Sequence, residues 1–138
     1  MPDLNAMLFA YGSLQLPEVF KAVTALSREA HPAVLRGFRR TKLRGFGFPA
    51  IVPAEQEETS GILYHRIDED AWRRLDSFED DFYDRVSVKI ELPDGSTCTA
   101  FTYVLTEGFR YLSLDASWSL SDLDSWTIRD LLARLEPS

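Results

Sequence analysis

The 138-residue chain has one cysteine, Cys98, so no disulfide can form within it and a reducing compartment is the expected setting. Its two histidines, His31 and His65, offer with that thiol neither C-x-x-C nor H-E-x-x-H spacing, so no metal and no other cofactor is expected. No apolar run approaches the ~18 residues that cross a bilayer, and no basic segment leading into an apolar one opens the chain. A soluble, cytoplasmic protein with no membrane partner is the expectation. Positive charge is scarce too: 15 Lys and Arg against 22 Asp and Glu give a net charge of −7. That balance argues against nucleic acid as a partner, because phosphate binding draws on clustered cations. The one basic stretch, Arg36 to Arg44, interleaves its cations with Leu35, Phe38, Thr41 and Leu43 and reads as the outer face of a strand.

What is present is ordinary for a folded protein: 45% hydrophobic and 27% charged residues, enough for a substantial core in one domain covering residues 1–138. No repeat or linker divides it. The most informative stretch is Met7 to Leu14, an apolar run ending in Gly12-Ser13. Neither alternate set of its side chains is polar, which predicts a central strand buried on both faces. Gly12 has no side chain to block approach, so the N–H groups of Gly12, Ser13 and Leu14 suit an anion or a developing oxyanion. The same residues also suit a plain strand-end turn. Ser13 sits in no G-x-S-x-G elbow, so a nucleophilic serine is set aside.

Pro17 fits a first helical turn, and Leu16, Phe20, Val23 and Leu26 recur at helical spacing, predicting a helix near 17–29 that His31-Pro32 ends. Its N-terminus would point at the Gly-Ser turn and add favourable potential for an anion. Strands follow at Val34 to Lys42 and Phe46 to Val52, with Pro49 and Pro53 restricting pairing to an edge or bulge. Ala54 to Ser60, with Glu55, Glu57 and Glu58, reads as a solvated acidic loop. Gly61 to Ile67 returns to a strand, with His65 on the face of Leu63 and Ile67 as a core or rim residue. Tyr83 to Leu92 alternates strictly, Pro93-Asp94-Gly95-Ser96 is a hairpin turn, and Thr97 to Leu105 pairs back. Thr106 to Ser119 is irregular, and a closing helix is expected near 121–135, packed through Leu131, Leu132 and Leu135.

Between these strands, Asp68 is a good N-cap and Ala71, Trp72, Leu75 and Phe78 make the stripe of a helix near 69–78. At 100° per residue, Glu79 falls about 20° from Trp72 and about 40° from Leu75, so its carboxylate points with the apolar side chains. Desolvation there would raise its pKa toward the range useful for proton transfer near neutral pH. If the helix frays first, Glu79 is an ordinary surface acid. Asp76, Asp80 and Asp81 have no comparable placement.

Tyr11-Gly12-Ser13-Leu14 after an N-terminal strand, then Gly61-Ile62-Leu63-Tyr64, then Leu75-Asp76-Ser77-Phe78-Glu79 followed by Tyr83 and Arg85, resembles the gamma-glutamylcyclotransferase-like family. The likeness is to its avirulence-induced and gamma-glutamylamine-cyclotransferase branch and runs from Met7 to Leu105. It implies an α+β fold: a small mixed, largely antiparallel β-barrel flanked by helices. It also implies that the Tyr11 to Leu14 loop binds a glutamyl group, that Glu79 is the general acid/base, and that Tyr83 and Arg85 lie with the substrate. One position departs, since Asp80 follows the glutamate where the family usually has Gly.

The implied chemistry is cyclisation of a small-molecule gamma-glutamyl amine or peptide to 5-oxoproline with release of the amine, which needs one poised acid/base, oxyanion donors and a curled substrate. Two other readings use the same residues. One is a glutamyl-binding or regulatory module in which Glu79 holds an ammonium group without turnover; the other is an interaction protein in which Trp72, Trp118 and Trp126 serve packing and contact.

Overall fold

The computed structural model describes residues 6–123, 128–130 and 132–133. Its frame is five strands: β1 (Leu8–Ala10), β2 (Ala30–Lys42), β3 (Pro49–Tyr64), β4 (Tyr83–Glu91) and β5 (Thr97–Leu105). They close into a barrel in the order β1-β3-β2-β4-β5. Every pairing is antiparallel except the closing one, where β1 runs parallel to β5 with Leu8 opposite Phe101. The barrel is therefore mixed and largely antiparallel.

Apolar residues on both faces of β1 are explained by what lies on each side. Phe9 packs inside the barrel with Leu35, Ile51, Leu63 and Ile90. Leu8 and Ala10 face outward, but the helices α1 (Pro17–Thr24) and α2 (Glu69–Glu79) cover them through Val19, Phe20, Trp72 and Leu75. Leu8, Phe9 and Ala10 are all buried. Asp68 caps α2 as expected, its Oδ1 accepting the Ala71 N–H at 2.8 Å.

Four local expectations are corrected. Helix α1 stops at Thr24 rather than near residue 29: the Thr24 hydroxyl donates to the Phe20 carbonyl and accepts the Leu26 N–H, and Ala25 turns left-handed at φ 64°. His31 and Pro32 accordingly do not end the helix and lie in β2, opposite Leu63 and Ile62. Residues 54–60 belong to the continuous strand β3 rather than to a loop. Across from them the register slips from Arg36 opposite Glu58 to Phe38 opposite Pro53, with Gly37 at φ 89° and Gln56 at φ 71°. The acidic run thus forms an exposed bulge facing cations, with Glu58 3.7 Å from Arg36 and Glu57 3.9 Å from Arg39. The strand expected through Ile67 ends at Tyr64, and half-buried His65 meets His31 edge to face at 5.2 Å.

Of the closing helix, Leu120–Asp122 is a 3₁₀ turn, 128–130 and 132–133 are helical, and Leu132 packs on the helix-facing core. Trp126, Leu131 and Leu135 lie outside the described residues. None of the described helices is long and apolar enough to cross a membrane, and no group of acids, histidines or cysteines able to hold a metal occurs among the described residues.

Candidate active site

Just past the end of β1, Pro49 at the head of β3 occupies the space that a side chain at residue 12 would need. A Cβ on Gly12 would lie 3.0 Å from Pro49 Cγ. Glycine is needed there for that approach and not for a left-handed backbone, since Gly12 has φ −123°. Ser13–Gln15 then form a single 3₁₀ turn before α1 begins, so the turn, rather than the start of α1 alone, stands next to the glycine.

The loop is held from several directions. The Tyr11 hydroxyl donates to the Tyr103 carbonyl at 2.6 Å, and the Arg40 guanidinium donates to the Tyr11 carbonyl at 2.9 Å. The Tyr64 hydroxyl donates to the Leu14 carbonyl at 2.7 Å while its ring stacks on Phe20 at 3.9 Å. The Gly61 to Tyr64 motif thus braces the Tyr11 to Leu14 motif. Among the described residues, no turn, loop or side-chain acceptor takes the N–H groups of Gly12, Ser13 or Leu14.

These four loop residues line a cavity of about 400 Å³ that Glu79 and Tyr83 also line. Glu79 is the last residue of α2, so the helix reaches the acid before breaking into a 3₁₀ turn at Asp80–Phe82. The rest of the wall is apolar or aromatic, including Phe46, Phe48, Phe78 and Phe82. Burial pushes the Glu79 carboxyl up to about 8, with the nearby Asp76 carboxylate as a second cause. The Tyr83 hydroxyl donates to the Pro49 carbonyl at 2.8 Å, and burial followed by the charge of Glu79 raises its pKa. Tyr11 and Tyr103 are likewise raised, burial being the first cause for each. All three phenols stay protonated near neutral pH and are donors, leaving Glu79 as the group in this cavity that titrates in the useful range.

Arg85 is not brought to the cavity. Its guanidinium lies over the Trp72 ring at 4.8 Å and 3.6 Å from Asp76 Oδ2. Asp76 also accepts the Tyr103 hydroxyl at 2.7 Å. Asp76 and Tyr103 are the participants that sequence reading missed. The first stands three residues before Glu79 on one helix face, a spacing that signals mutual influence; the second carries no local signal, because β5 meets α2 only through the fold. The Asp80 side chain lies outside the described part of the structure.

The closed mixed barrel, with a desolvated carboxyl and a glycine-bearing loop lining one cavity, has counterparts among known proteins. The family model for gamma-glutamyl cyclotransferase, AIG2-like, matches residues 8–126, and the chain belongs to that family. AIG2-like protein C of Arabidopsis thaliana is 40% identical over 89 residues, 64% of this chain and 52% of that protein. AIG2-like protein A of the same plant is 37% identical over 89 residues, 64% of this chain and 54% of the relative. The chain thus spans about half the length of the relatives it matches. The solution structure of an Arabidopsis thaliana protein superposes with a TM-score of 0.72 at 24% identity, covering 97% of this chain and 79% of the other. A solved gamma-glutamyl cyclotransferase superposes at 0.66 and 21% identity, covering 74% and 67%. These two likenesses establish the fold.

Proposed function

We propose that the chain is a gamma-glutamyl cyclotransferase-type enzyme that converts a gamma-glutamyl amine or peptide to 5-oxoproline and a free amine. The observation that carries this reading is Glu79, a carboxyl raised to about 8 in the apolar cavity that the Tyr11 to Leu14 loop also lines. An acid with that pKa can accept and return a proton near neutral pH, which a solvated glutamate does poorly.

In the proposed reaction the glutamyl α-carboxylate and the developing oxyanion take the amides of Gly12 to Leu14. Glu79, as carboxylate, removes a proton from the α-ammonium group. The freed nitrogen attacks the γ-carbonyl carbon, a carbon–nitrogen bond forms, and the carbonyl electron pair moves onto oxygen. As that pair returns, the bond to the leaving nitrogen breaks. Two protons leave the α-nitrogen and two arrive at the leaving nitrogen, relayed by Glu79, so the positive charge passes from one ammonium group to the other. No water is consumed and no covalent enzyme intermediate is needed. Tyr83 supplies shape at the cavity wall, its hydroxyl proton being held by the Pro49 carbonyl. Arg85 acts indirectly, by fixing Asp76 beside Glu79.

Incubation of the purified protein with gamma-glutamyl amines and peptides is expected to yield 5-oxoproline, and Glu79→Gln is expected to lower turnover by roughly 10²–10⁴-fold while leaving ligand binding nearly intact. Ligand binding with no 5-oxoproline from the wild-type protein would establish a binding module instead. Near-normal turnover by Glu79→Gln would remove Glu79 from the chemistry.

A further inference from the structure

The half of the cavity beyond the glutamyl loop is where a leaving amine would sit, and its lining has a one-sided chemistry. Among the described residues that line it, Glu79 is the only Asp, Glu, Lys, Arg or His. The remainder of that wall is built from Leu43 and from aromatic rings of the β2–β3 connection and of the turn after α2. Phe46 stands at the rim, 46% exposed, with its ring edge to face against Phe82 at 5.4 Å, and Phe82 in turn leans on Phe109 at 4.6 Å. Of the cations near the cavity, Arg40 donates through one nitrogen to the Tyr11 and Ser60 carbonyls and Arg85 faces Trp72 and Asp76, while Arg44, between Leu43 and Phe46, is exposed and does not line the cavity.

We propose that this site releases an amine whose substituent is uncharged and apolar, an arylalkyl or branched alkyl amine, in preference to an amino acid or a diamine. The proposal rests on the cyclisation reading above and names its substrate class. In a gamma-glutamyl amino acid the second carboxylate is two bonds from the leaving nitrogen, which holds it close to Glu79 with no lining cation to pair it. Two carboxylates in an apolar site repel, and each loses its water without compensation. Among the described side chains lining the cavity, a cationic substituent further out would meet aromatic faces and no carboxylate other than the one engaged in proton transfer. An aryl or branched alkyl group instead removes its own apolar surface and that of Phe46 and Phe82 from water and pairs with the rings edge to face.

The test is a 5-oxoproline assay with the wild-type protein on gamma-glutamylphenethylamide, gamma-glutamylisoamylamide, gamma-glutamylalanine and the isopeptide of glutamate with the lysine ε-amine. The expected result is a kcat/KM for the two apolar amides about 10- to 100-fold above that for the two charged substrates. Phe46→Ala, at a rim position whose truncation leaves the buried core intact, is expected to shrink that ratio several-fold, chiefly through KM for the apolar amides. Equal or better turnover of gamma-glutamylalanine or the isopeptide overturns the substrate class while leaving the cyclisation standing. A ratio unmoved by Phe46→Ala overturns the role given to the aromatic rim. Absence of 5-oxoproline from all four overturns the cyclisation reading, and the substrate class with it.

Discussion

Glu79 owes its chemistry to neighbours that withhold water more than to any that donate a bond. Its proton is held to about 8 first by burial and then by the charge of Asp76. The base form is the carboxylate, so kcat/KM for 5-oxoproline formation is expected to climb with pH and level off above about 8, a profile a solvated glutamate near 4.5 would not give. Asp76→Asn removes the second cause and keeps the first, so it should move the rising limb down by roughly half to one pH unit. An unmoved limb would mean that burial acts alone. The same shift has a stability consequence. Between the ordinary 4.5 and about 8 the folded chain holds a proton that the unfolded chain has released, so stability should fall as pH rises across that window. Glu79→Gln should flatten this slope, and denaturant unfolding of both proteins at pH 5 and pH 9 checks it. The expected difference is on the order of 1–3 kcal/mol once solvent in the open cavity is allowed for.

At the scale of elements, two glycines do different work. In β3, a Cβ on Gly61 would collide with the Ala10 carbonyl oxygen and lie 2.8 Å from Phe9 Cζ. Backbone of the central strand cannot yield cheaply, so Gly61→Ala should cost about 3 kcal/mol or more and loosen the β1–β3 pairing. Gly12 meets only the Pro49 ring, at 3.0 and 3.2 Å, which can shift by a few tenths of an ångström. Gly12→Ala should therefore cost only about 1 kcal/mol in unfolding experiments while lowering 5-oxoproline formation through the displaced loop. Comparable losses of stability in the two variants would contradict this division. Helix α2 contributes by its length: its eleven residues carry the acid to the cavity wall.

For the whole molecule, barrel closure is what joins the N-terminal loop to the acid. β1 is only three residues long, yet it bridges β3 and β5 and lies under both helices. Amide hydrogen exchange should find the Leu8, Phe9 and Ala10 amides exchanging only through global unfolding, together with the centres of β3 and β5. The exposed 3₁₀ turn at Glu107–Leu112, which buries none of its residues, should exchange by local opening. Protection of β1 that falls to the level of that turn would show the closing strand to be a loosely held strap.

Much of this was legible in the sequence because it rests on near neighbours in the chain. Two-sided burial of residues 8–10, the N-cap at Asp68, the hairpin at Asp94-Gly95 and the direction of Glu79 on its helix follow from periodicity and local geometry, and the motifs pointed to the family. The early end of α1 turned on a single hydroxyl, Thr24, choosing backbone partners two and four residues away. Pairing across the barrel decided the rest. Residues 54–60 are strand because β2 lies beside them, Asp76 influences the site because Tyr103 and Arg85 fix it there, and Arg85 is turned onto Trp72. Each of these depends on contacts between segments far apart in the chain, which periodicity does not encode and chain closure supplies.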